Sequence, residues 1–591
     1  MTKWKLRTAL FAAAVAVLGV AVTGSSAATA QTRTATAAAT NSGRHPAASS
    51  APGGSWSAAI PVGGLSTITD LTCTSPGNCV AVGQGSVGGS DVATERNGVW
   101  HAARRFALGS KTAGAIQSVD AVACSSQGNC VAGGSAGHGK DNDVPISWVV
   151  VEKGGAWGTA QLLSGITTVT AISCVPNGGC TAVGREQPDP NGVPPVSAAM
   201  VVAESGGTWA KPQTIPKPAA VSLWWYFTLN SVSCTANGDC SAGGSIYNGG
   251  SGGYQETVAV LITESNGAWG AATLVPGLPT SSLDYSNITG LSCQAPGDCT
   301  VGGQYSVTTI PGWTSASGSF LTAETGGTWQ PAVVIPASDG GYSVTSLSCW
   351  SIGQCVIAGA DASNGDPVAV DVVNGSVAGN PTVLPGSAGL QMGGCSSGLM
   401  SCWSSALVSC VPAGYCGVFG WYLVSGQHSS TVYVAIKTAA GWQPIQAVRG
   451  IRPDSSISAI SCTATGYCTA VGSYSYSTAH GVRSQAFAVD EASASATLLK
   501  VSTSRITYGH ERTERLTVDV TSHCVGALTG TVAIKAGSTT LAALTLKSGK
   551  AGYTLTAKQL KIGSHALTAT YSGNATYLAS ASQAVKVKVV K

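Results

Sequence analysis

One pattern recurs eight times along this 591-residue chain: C-x-x-x-G-x-C-x-x-x-G. The cysteine pairs are Cys73/Cys79, Cys124/Cys130, Cys174/Cys180, Cys234/Cys240, Cys293/Cys299, Cys349/Cys355, Cys410/Cys416 and Cys462/Cys468. A glycine stands inside every pair (Gly77, Gly128, Gly178, Gly238, Gly297, Gly353, Gly414, Gly466), and another trails it (Gly83, Gly134, Gly184, Gly244, Gly303, Gly359, Gly420, Gly472). Successive first cysteines lie 50 to 61 residues apart. A repeat of that length is one supersecondary unit, and it must bury its apolar surface against its neighbours.

The third repeat shows what the unit is. Val169–Cys174 alternates and ends at a turn, which makes it a first strand, A. Cys180–Gly184 follows as strand B and the apolar Ser197–Glu204 as strand C. A Gly-Gly turn leads to strand D at Trp209. The inner glycine is expected at positive φ in the A–B turn, where a side chain is resisted. Four short strands repeated eight times predict an all-β, eight-bladed β-propeller, with seven blades plus a displaced repeat as the alternative count. The eighth repeat has no strand D of its own, while Gly54-Ser55-Trp56 matches the start of D in Gly207-Thr208-Trp209. The N-terminal strand is therefore expected to close the ring. Seven D strands begin with tryptophan (Trp56, Trp100, Trp157, Trp209, Trp269, Trp329, Trp442) and the sixth with Val377, a series suited to packing between blades.

The ends of the chain differ from the repeats. Lys3, Lys5 and Arg7 precede an apolar run from Ala9 to Val22 and small residues around Ala28 and Ala30. That reads as a secretory signal peptide over 1–30, with an uncleaved anchor as the alternative. Residues 31–54 read as an Ala/Thr/Ser-rich linker, 55–495 as the propeller and 496–591 as a separate β-sandwich. No later segment reads as transmembrane. Export permits disulfides, and two cysteines flanking a five-residue turn sit on adjacent strands within bonding reach, so each pair is expected to close on itself. Cys395 and Cys402 are expected to pair within an insertion of the seventh repeat. Cys524 is left over, either as a buried thiol or as a link between two chains. The pairs lack CxxC spacing and accompanying histidines, so no metal and no cofactor is expected.

Two resemblances now have residues to rest on. Ile172-Ser173-Cys174 through Cys180-Thr181-Ala182-Val183-Gly184 resembles the cysteine-hairpin repeats of secreted actinobacterial propeller proteins. The turn before strand D resembles the Asp-box of sialidase-like propellers, in degenerate form, at Glu204-Ser205-Gly206-Gly207-Thr208-Trp209 and Glu324-Thr325-Gly326-Gly327-Thr328-Trp329. Glu95, Glu152 and Glu264 hold the same place five residues before tryptophan. The Asp-box is a structural turn, so the likeness implies fold and not catalysis. The C-terminal segment is similar to the group 3 bacterial Ig-like domain through Thr507-Tyr508-Gly509, Leu528-Thr529-Gly530-Thr531-Val532, Ile562-Gly563-Ser564-His565 and Ala569-Thr570-Tyr571-Ser572-Gly573-Asn574. That likeness implies a spacer or adhesive module on a cell surface.

Charged residues are 9% of the chain with a formal net charge of +4 and no basic stripe, which excludes a nucleic-acid footprint. No G-x-S-x-G, HExxH or phosphate loop occurs. A sialidase-like site would need converging arginines, for which Arg96, Arg104, Arg105, Arg185, Arg449, Arg452 and Arg483 are available. A glycosidase would need two spaced carboxylates, for which Asp70 and Asp120 are available, although both positions also suit bonds to blade backbone. His101, His138, His428 and His480 are scattered. The B–C and D–A connections vary in length and are expected on one face, the uniform cysteine turns and C–D turns on the other. Variable loops on a rigid scaffold are where binding usually lies. Their aromatics are Trp224, Trp225, Tyr226, Tyr254, Tyr285, Tyr305, Trp313, Trp421, Tyr422, Tyr474 and Tyr476. Flat rings with polar edges suit sugars. The expectation is a secreted or cell-surface monomer whose loop face engages a polysaccharide. The alternatives are a protein–protein adhesion module bound to a surface protein, and a sialidase-like or other glycoside hydrolase.

Overall fold

The computed structural model describes residues 55–591, except 97, 110–115, 138–144, 177, 187–195, 222–225, 237, 250–254, 279–282, 310–313, 336–341, 362–364, 388–405, 424–429, 453–454, 465, 479–480, 493–494, 523–527 and 575–576. Cys395, Cys402 and Cys524, and the signal and linker segments, lie outside the described residues. The described chain is almost entirely β, built from many small antiparallel sheets. No helix among the described residues is long and apolar enough to cross a membrane.

Each cysteine hairpin opens one A–B–C–D unit. In the third unit strand A runs Thr168–Cys174, B Cys180–Arg185 and C Ala199–Ser205. Strand D comes in two short pieces, Thr208–Trp209 and Gln213–Thr214, both paired to C. Proline stands in the break in this unit (Pro212), the fifth (Pro331), the sixth (Pro381) and the seventh (Pro444), where it cannot donate to the ladder, and the break recurs in the units without it. At the break the backbone turns to the preceding unit. Ala332 N–H bonds Pro276 O at 2.7 Å and Ala272 N–H bonds Pro216 O at 2.9 Å. In the eighth unit strand C pairs with residues from the beginning of the described chain: Ser55 stands opposite Ala492, Trp56 opposite Glu491, and Ile60 opposite Ala488.

Eight disulfides close the hairpins, each joining the two cysteines of one repeat: Cys73–Cys79, Cys124–Cys130, Cys174–Cys180, Cys234–Cys240, Cys293–Cys299, Cys349–Cys355, Cys410–Cys416 and Cys462–Cys468. Their Cα atoms are 3.9–4.1 Å apart. By loop-closure entropy each contributes about 2 kcal/mol. The two cysteines of a pair differ in burial. The second cysteine is buried in every repeat, at Cys79, Cys130, Cys180, Cys240, Cys299, Cys355, Cys416 and Cys468. The first is half-buried in all but the sixth, where Cys349 is buried too. The reason is position in the sheet. The second cysteine stands on strand B, between A and C and under the neighbouring unit, while the first stands on strand A, at the edge of its sheet. The second cysteines are thus core residues that fasten the hairpin. Cys416 lies in the layer between the sixth and seventh units and Cys468 in that between the seventh and eighth. Cys355 belongs to the layer between the fifth and sixth.

The inner glycine has positive φ in seven repeats, between 65° and 79°. It also carries the link to the C–D turn: Gly155 N–H bonds Gly128 O, and Gly327 N–H bonds Gly297 O, both at 2.9 Å. Cysteine turns and C–D turns therefore share one face. The trailing glycine answers a different constraint. Strand A carries a β-bulge four residues before its cysteine in seven units, and the glycine of strand B pairs just beside it. A Cβ on Gly244 would stand 2.0 Å from Thr228 O, and one on Gly83 2.0 Å from Thr67 O.

The core lies between units. Eight buried apolar clusters each draw from two successive units, and that between the first and eighth is one of them. A D-strand tryptophan packs in seven of these layers and Val377 in the layer between the fifth and sixth units. Strand A of each unit packs on strand A of the next, and that of the eighth packs on that of the first. Polar bonds repeat at the same contact. The serine before the first cysteine accepts the N–H of the next unit's cysteine, as in Ser173 to Cys234 (3.0 Å), Ser233 to Cys293 (3.1 Å), Ser348 to Cys410 (2.9 Å) and Ser461 to Cys73 (3.1 Å).

The C-terminal residues form a two-sheet sandwich. One sheet holds Ser495–Val501, Arg515–Ser522 and Lys550–Thr554; the other holds Arg505–Thr507, Val585–Val590, Gly563–Tyr571, Thr531–Ala536 and Thr539–Thr545. Leu499, Val518, Ile534, Leu567, Tyr571 and Val587 fill the space between them. Buried Glu514 is satisfied by the N–H groups of Ser502 (2.6 Å) and Thr503 (2.9 Å).

Gly244→Ala is expected to destabilise the protein by more than about 3 kcal/mol, because the obstacle is backbone. Ser233→Ala, which leaves the Cys293 N–H unpaired, is expected to cost about 1–2 kcal/mol. Urea unfolding midpoints of the two variants against the parent check the order.

Candidate functional site

The loop face carries the aromatic side chains. Tyr226 starts strand A of the fourth unit and stands opposite Tyr247 at the end of strand B, with ring centroids 6.2 Å apart. The Arg185 guanidinium of the third unit lies 5.6 Å above the Tyr226 ring. The eighth unit repeats the arrangement. Tyr474 and Tyr476 on strand B are 6.1 Å apart, and Arg452 lies 6.0 Å and 5.0 Å over their rings. Contacts of this kind hold a planar cation on an aromatic face. Tyr474 also stacks near Phe487 at 6.2 Å, which fixes its plane.

The other named aromatics are dispersed. Tyr285 is 40% exposed, at the bridge where Thr257 of the fourth unit meets the fifth. Tyr305 and Trp421 are half-buried and pack against the layers between units 4 and 5 and between units 7 and 8. Tyr422 stands on strand Tyr415–Leu423, and its side chain is outside the described set. Trp224, Trp225, Tyr254 and Trp313 fall outside the described residues. Sequence reasoning paired neither Arg185 nor Arg452 with tyrosines. The signal was an arginine just before the aromatic strand in space, not in sequence.

The residues weighed for catalysis are differently employed. Asp70 accepts the Leu71 and Val122 N–H groups, each at 2.8 Å, so its carboxylate ties the first unit to the second. Burial raises its pKa to about 6 against those two bonds. Asp120 accepts the Ser118 hydroxyl at 3.1 Å, and burial likewise raises it to about 6. Arg105 pairs with Asp91 at 3.0 Å and Arg96 donates to Gly155 O at 3.2 Å. With Arg185 and Arg452 on separate units, these arginines do not converge. No cluster of three or more metal-ligating side chains occurs among the described residues. His101 is exposed, and His138, His428 and His480 lie outside the described residues.

A second set of groups lies on the cysteine-turn face. The glutamate that ends strand C, opposite the D-strand tryptophan, points across the junction to the preceding unit. Glu324 accepts from Ser241 (2.8 Å) and Thr263 (2.5 Å) of the fourth unit. Glu491 accepts the Tyr415 hydroxyl, and Lys437, which replaces the glutamate in the seventh unit, binds Asp371 of the sixth. Glu204 differs, since its carboxylate accepts Gly207 N–H within its own turn. Burial, with the Asp239 charge adding to it, raises Glu264 to about 7. Between the first and second units this face opens into a cleft of about 320 Å³ at Glu152, Arg96, Val80 and Gln127.

At the meeting of the first and eighth units, Glu95 faces Asp490. Tyr467 donates to Glu95 at 3.5 Å and Thr469 to Asp490 at 2.8 Å. Burial, then the charge of Asp490, pushes Glu95 well above its usual range; burial also raises Asp490.

Residues 499–590 match the family model of the bacterial Ig-like domain (group 3). Solved structures that the chain resembles include a protein of unknown function from Dyadobacter fermentans (10% identity, TM-score 0.32, covering 56% of this chain and 96% of that one). Another is an ulvan-degrading polysaccharide lyase (11% identity, TM-score 0.35, covering 68% and 96%). A third is the β-propeller domain of the Trilobed protease from Pyrococcus furiosus (8% identity, TM-score 0.33, covering 62% and 93%). No curated protein matches the chain.

The Glu95–Asp490 pair sets a pH dependence. Both acids hold protons in the folded state that the unfolded chain releases near their ordinary values, 4.5 and 3.8. Their contribution to stability is whole below those values and is lost as pH rises through the raised folded values. Melting temperature is expected to fall from pH 5 to pH 9, and Glu95→Gln to flatten that fall. Thermal unfolding of parent and variant across the range reads both.

Proposed function

We propose that this is an exported carbohydrate-binding protein in which eight units close into one propeller over residues 55–495. The Ig-like domain, 496–591, serves as a spacer. Several facts support the ring: eight units share eight apolar layers, and the eighth borrows its outer strands from residues 55–61. Eight disulfides and a bacterial Ig-like domain are consistent with life outside the cell. The protein acts as a secreted or surface-held monomer and needs no cofactor.

The observation that carries the sugar reading is the Arg452–Tyr474–Tyr476 group. Two tyrosine faces offer apolar area to a pyranose ring, and phenol and guanidinium edges offer donors to its hydroxyls. The Arg185–Tyr226–Tyr247 group offers the same chemistry at the fourth unit. Sites spaced on a rigid scaffold suit a polymer, since a second contact along one chain raises avidity without new chemistry. Arg452 stacked on a ring is already ordered, so little side-chain entropy is lost on binding.

The purified chain is expected to bind at least one of cell wall, chitin and cellulose in a pull-down. Tyr476→Ala and Arg452→Ala are each expected to weaken that binding about tenfold or more with unfolding midpoints unchanged. Binding to a surface protein that survives excess competing sugar, with no polymer retained, would instead establish the adhesion alternative. Release of reducing sugar ends from a polymer would establish the hydrolase.

A further inference from the structure

We propose that the cleft between the first and second units is a second carbohydrate site, taking one sugar residue of the polymer against Glu152. Its ligand class rests on the carbohydrate reading above; its location does not, since it lies on the opposite face. The cleft, about 320 Å³, is at the lower end of the size range of small-molecule sites.

Equivalent junctions between units differ in the donors they offer. In every unit the residue after the second cysteine and the strand C residue opposite it face the next unit. At the junction of units 4 and 5 these are Ser241 and Thr263, and their hydroxyls hold Glu324. At the junction of units 1 and 2 they are Val80 and Thr94, and Glu152 takes the place of Glu324. Valine donates nothing. Glu152 is 2% exposed, and its buried Oε2 has no hydrogen-bond partner. A buried carboxyl in that state costs free energy unless a donor reaches it. Here Val80, Thr94 and Glu152 all line an open cleft.

The walls say which donor fits. Arg96 extends over the cleft to Gly155 O at 3.2 Å, and its charge opposes the upward push of burial on the Glu152 pKa. The Gln127 amide stands at the rim, bonded to Asn78 at 2.8 Å. Val80 and the Cys124–Cys130 disulfide give the cleft an apolar side. A sugar residue matches this mixture: hydroxyls donate to Glu152 and accept from Arg96, while the ring face covers Val80. Glu95, Glu264 and Glu491 also leave Oε2 unpartnered, so the orphaned oxygen alone does not define a site. Glu95 borders the cleft too, but it accepts the Tyr467 hydroxyl at the junction with the eighth unit; Glu152 combines the orphaned oxygen with the cleft and with valine at the serine position.

The test is calorimetric titration with soluble oligosaccharides released from whichever polymer the protein binds. The parent is expected to show two classes of site. Val80→Ser gives Glu152 the internal partner that Ser241 gives Glu324. It is expected to keep the fold, raise the unfolding midpoint, and weaken one class at least tenfold. Arg96→Ala should weaken the same class, and Tyr476→Ala the other. If Val80→Ser and Arg96→Ala bind as the parent does, the cleft proposal is overturned and the carbohydrate reading stands. If the parent binds no polymer and no oligosaccharide, that reading falls and the cleft's ligand falls with it.

Discussion

No hairpin unit of this protein has a hydrophobic core of its own. Each is a small sheet, the fourth and fifth joined by one bridge, with two apolar faces covered by neighbouring units. Val80 and Phe106 of the first unit are buried with Trp148 and Val150 of the second, and Val149 of the second with Val169 of the third. Stability therefore resides in junctions and not in units. In an open row the two outermost faces would lie bare. Here the first and eighth units meet, with Ala81 and Ala93 packed against Val471 and Ala486.

The polar bonds follow from the same need for neighbours. Strands A packed side by side cannot form a continuous ladder, because each already spends its ladder bonds on its own strand B. Their outward N–H groups must then find acceptors elsewhere. Serine before the cysteine supplies one, and the bulged residue supplies another contact: Thr69 donates to Val119 O at 2.7 Å and Thr345 to Ala406 O at 2.6 Å. A bulge frees a side chain from the sheet's alternation and re-aims it sideways. The trailing glycine is the consequence, since the displaced strand A backbone occupies the space of a Cβ.

This division explains what could be read in the sequence. Features fixed within a hairpin were legible: the cysteine pairing, the positive φ of the inner glycine and the shared face of the two turn types. The tryptophan series was legible too, because a large aromatic at one fixed offset in a repeat has few other uses. Features fixed between hairpins were not. Cys240, Cys299, Cys355, Cys416 and Cys468 are buried because a neighbouring unit covers strand B, and the spacing within a pair says nothing of that cover. Serine precedes the cysteine in six repeats, from Ser173 to Ser461, yet its partner is 53 to 62 residues onward, or across the chain's ends, at a distance linear spacing does not state. The glutamates before tryptophan were read as a turn motif. That holds for Glu204, while Glu324 and Glu491 reach the neighbouring unit. A long carboxylate side chain can do either, and the neighbour's hydroxyls decide which.

The junction glutamates carry the line from fold to function. Hydrophobic residues could occupy these places, as Val372 does in the sixth unit. A carboxyl there stabilises only where the adjoining unit offers donors, so each junction is separately tuned by two side chains. Where donors are present, as at Ser241 and Thr263, the junction is closed and structural. Where the partner is another acid, as Asp490 is for Glu95, a proton must be retained. Where valine replaces serine and a cleft lies open, as beside Glu152, the carboxyl is left for something outside the chain. One repeated position thus serves as a fastening, a proton-holding contact or a binding group, according to a residue on the unit next to it. A propeller can acquire a site in this way by a single substitution at a junction, without changing a loop.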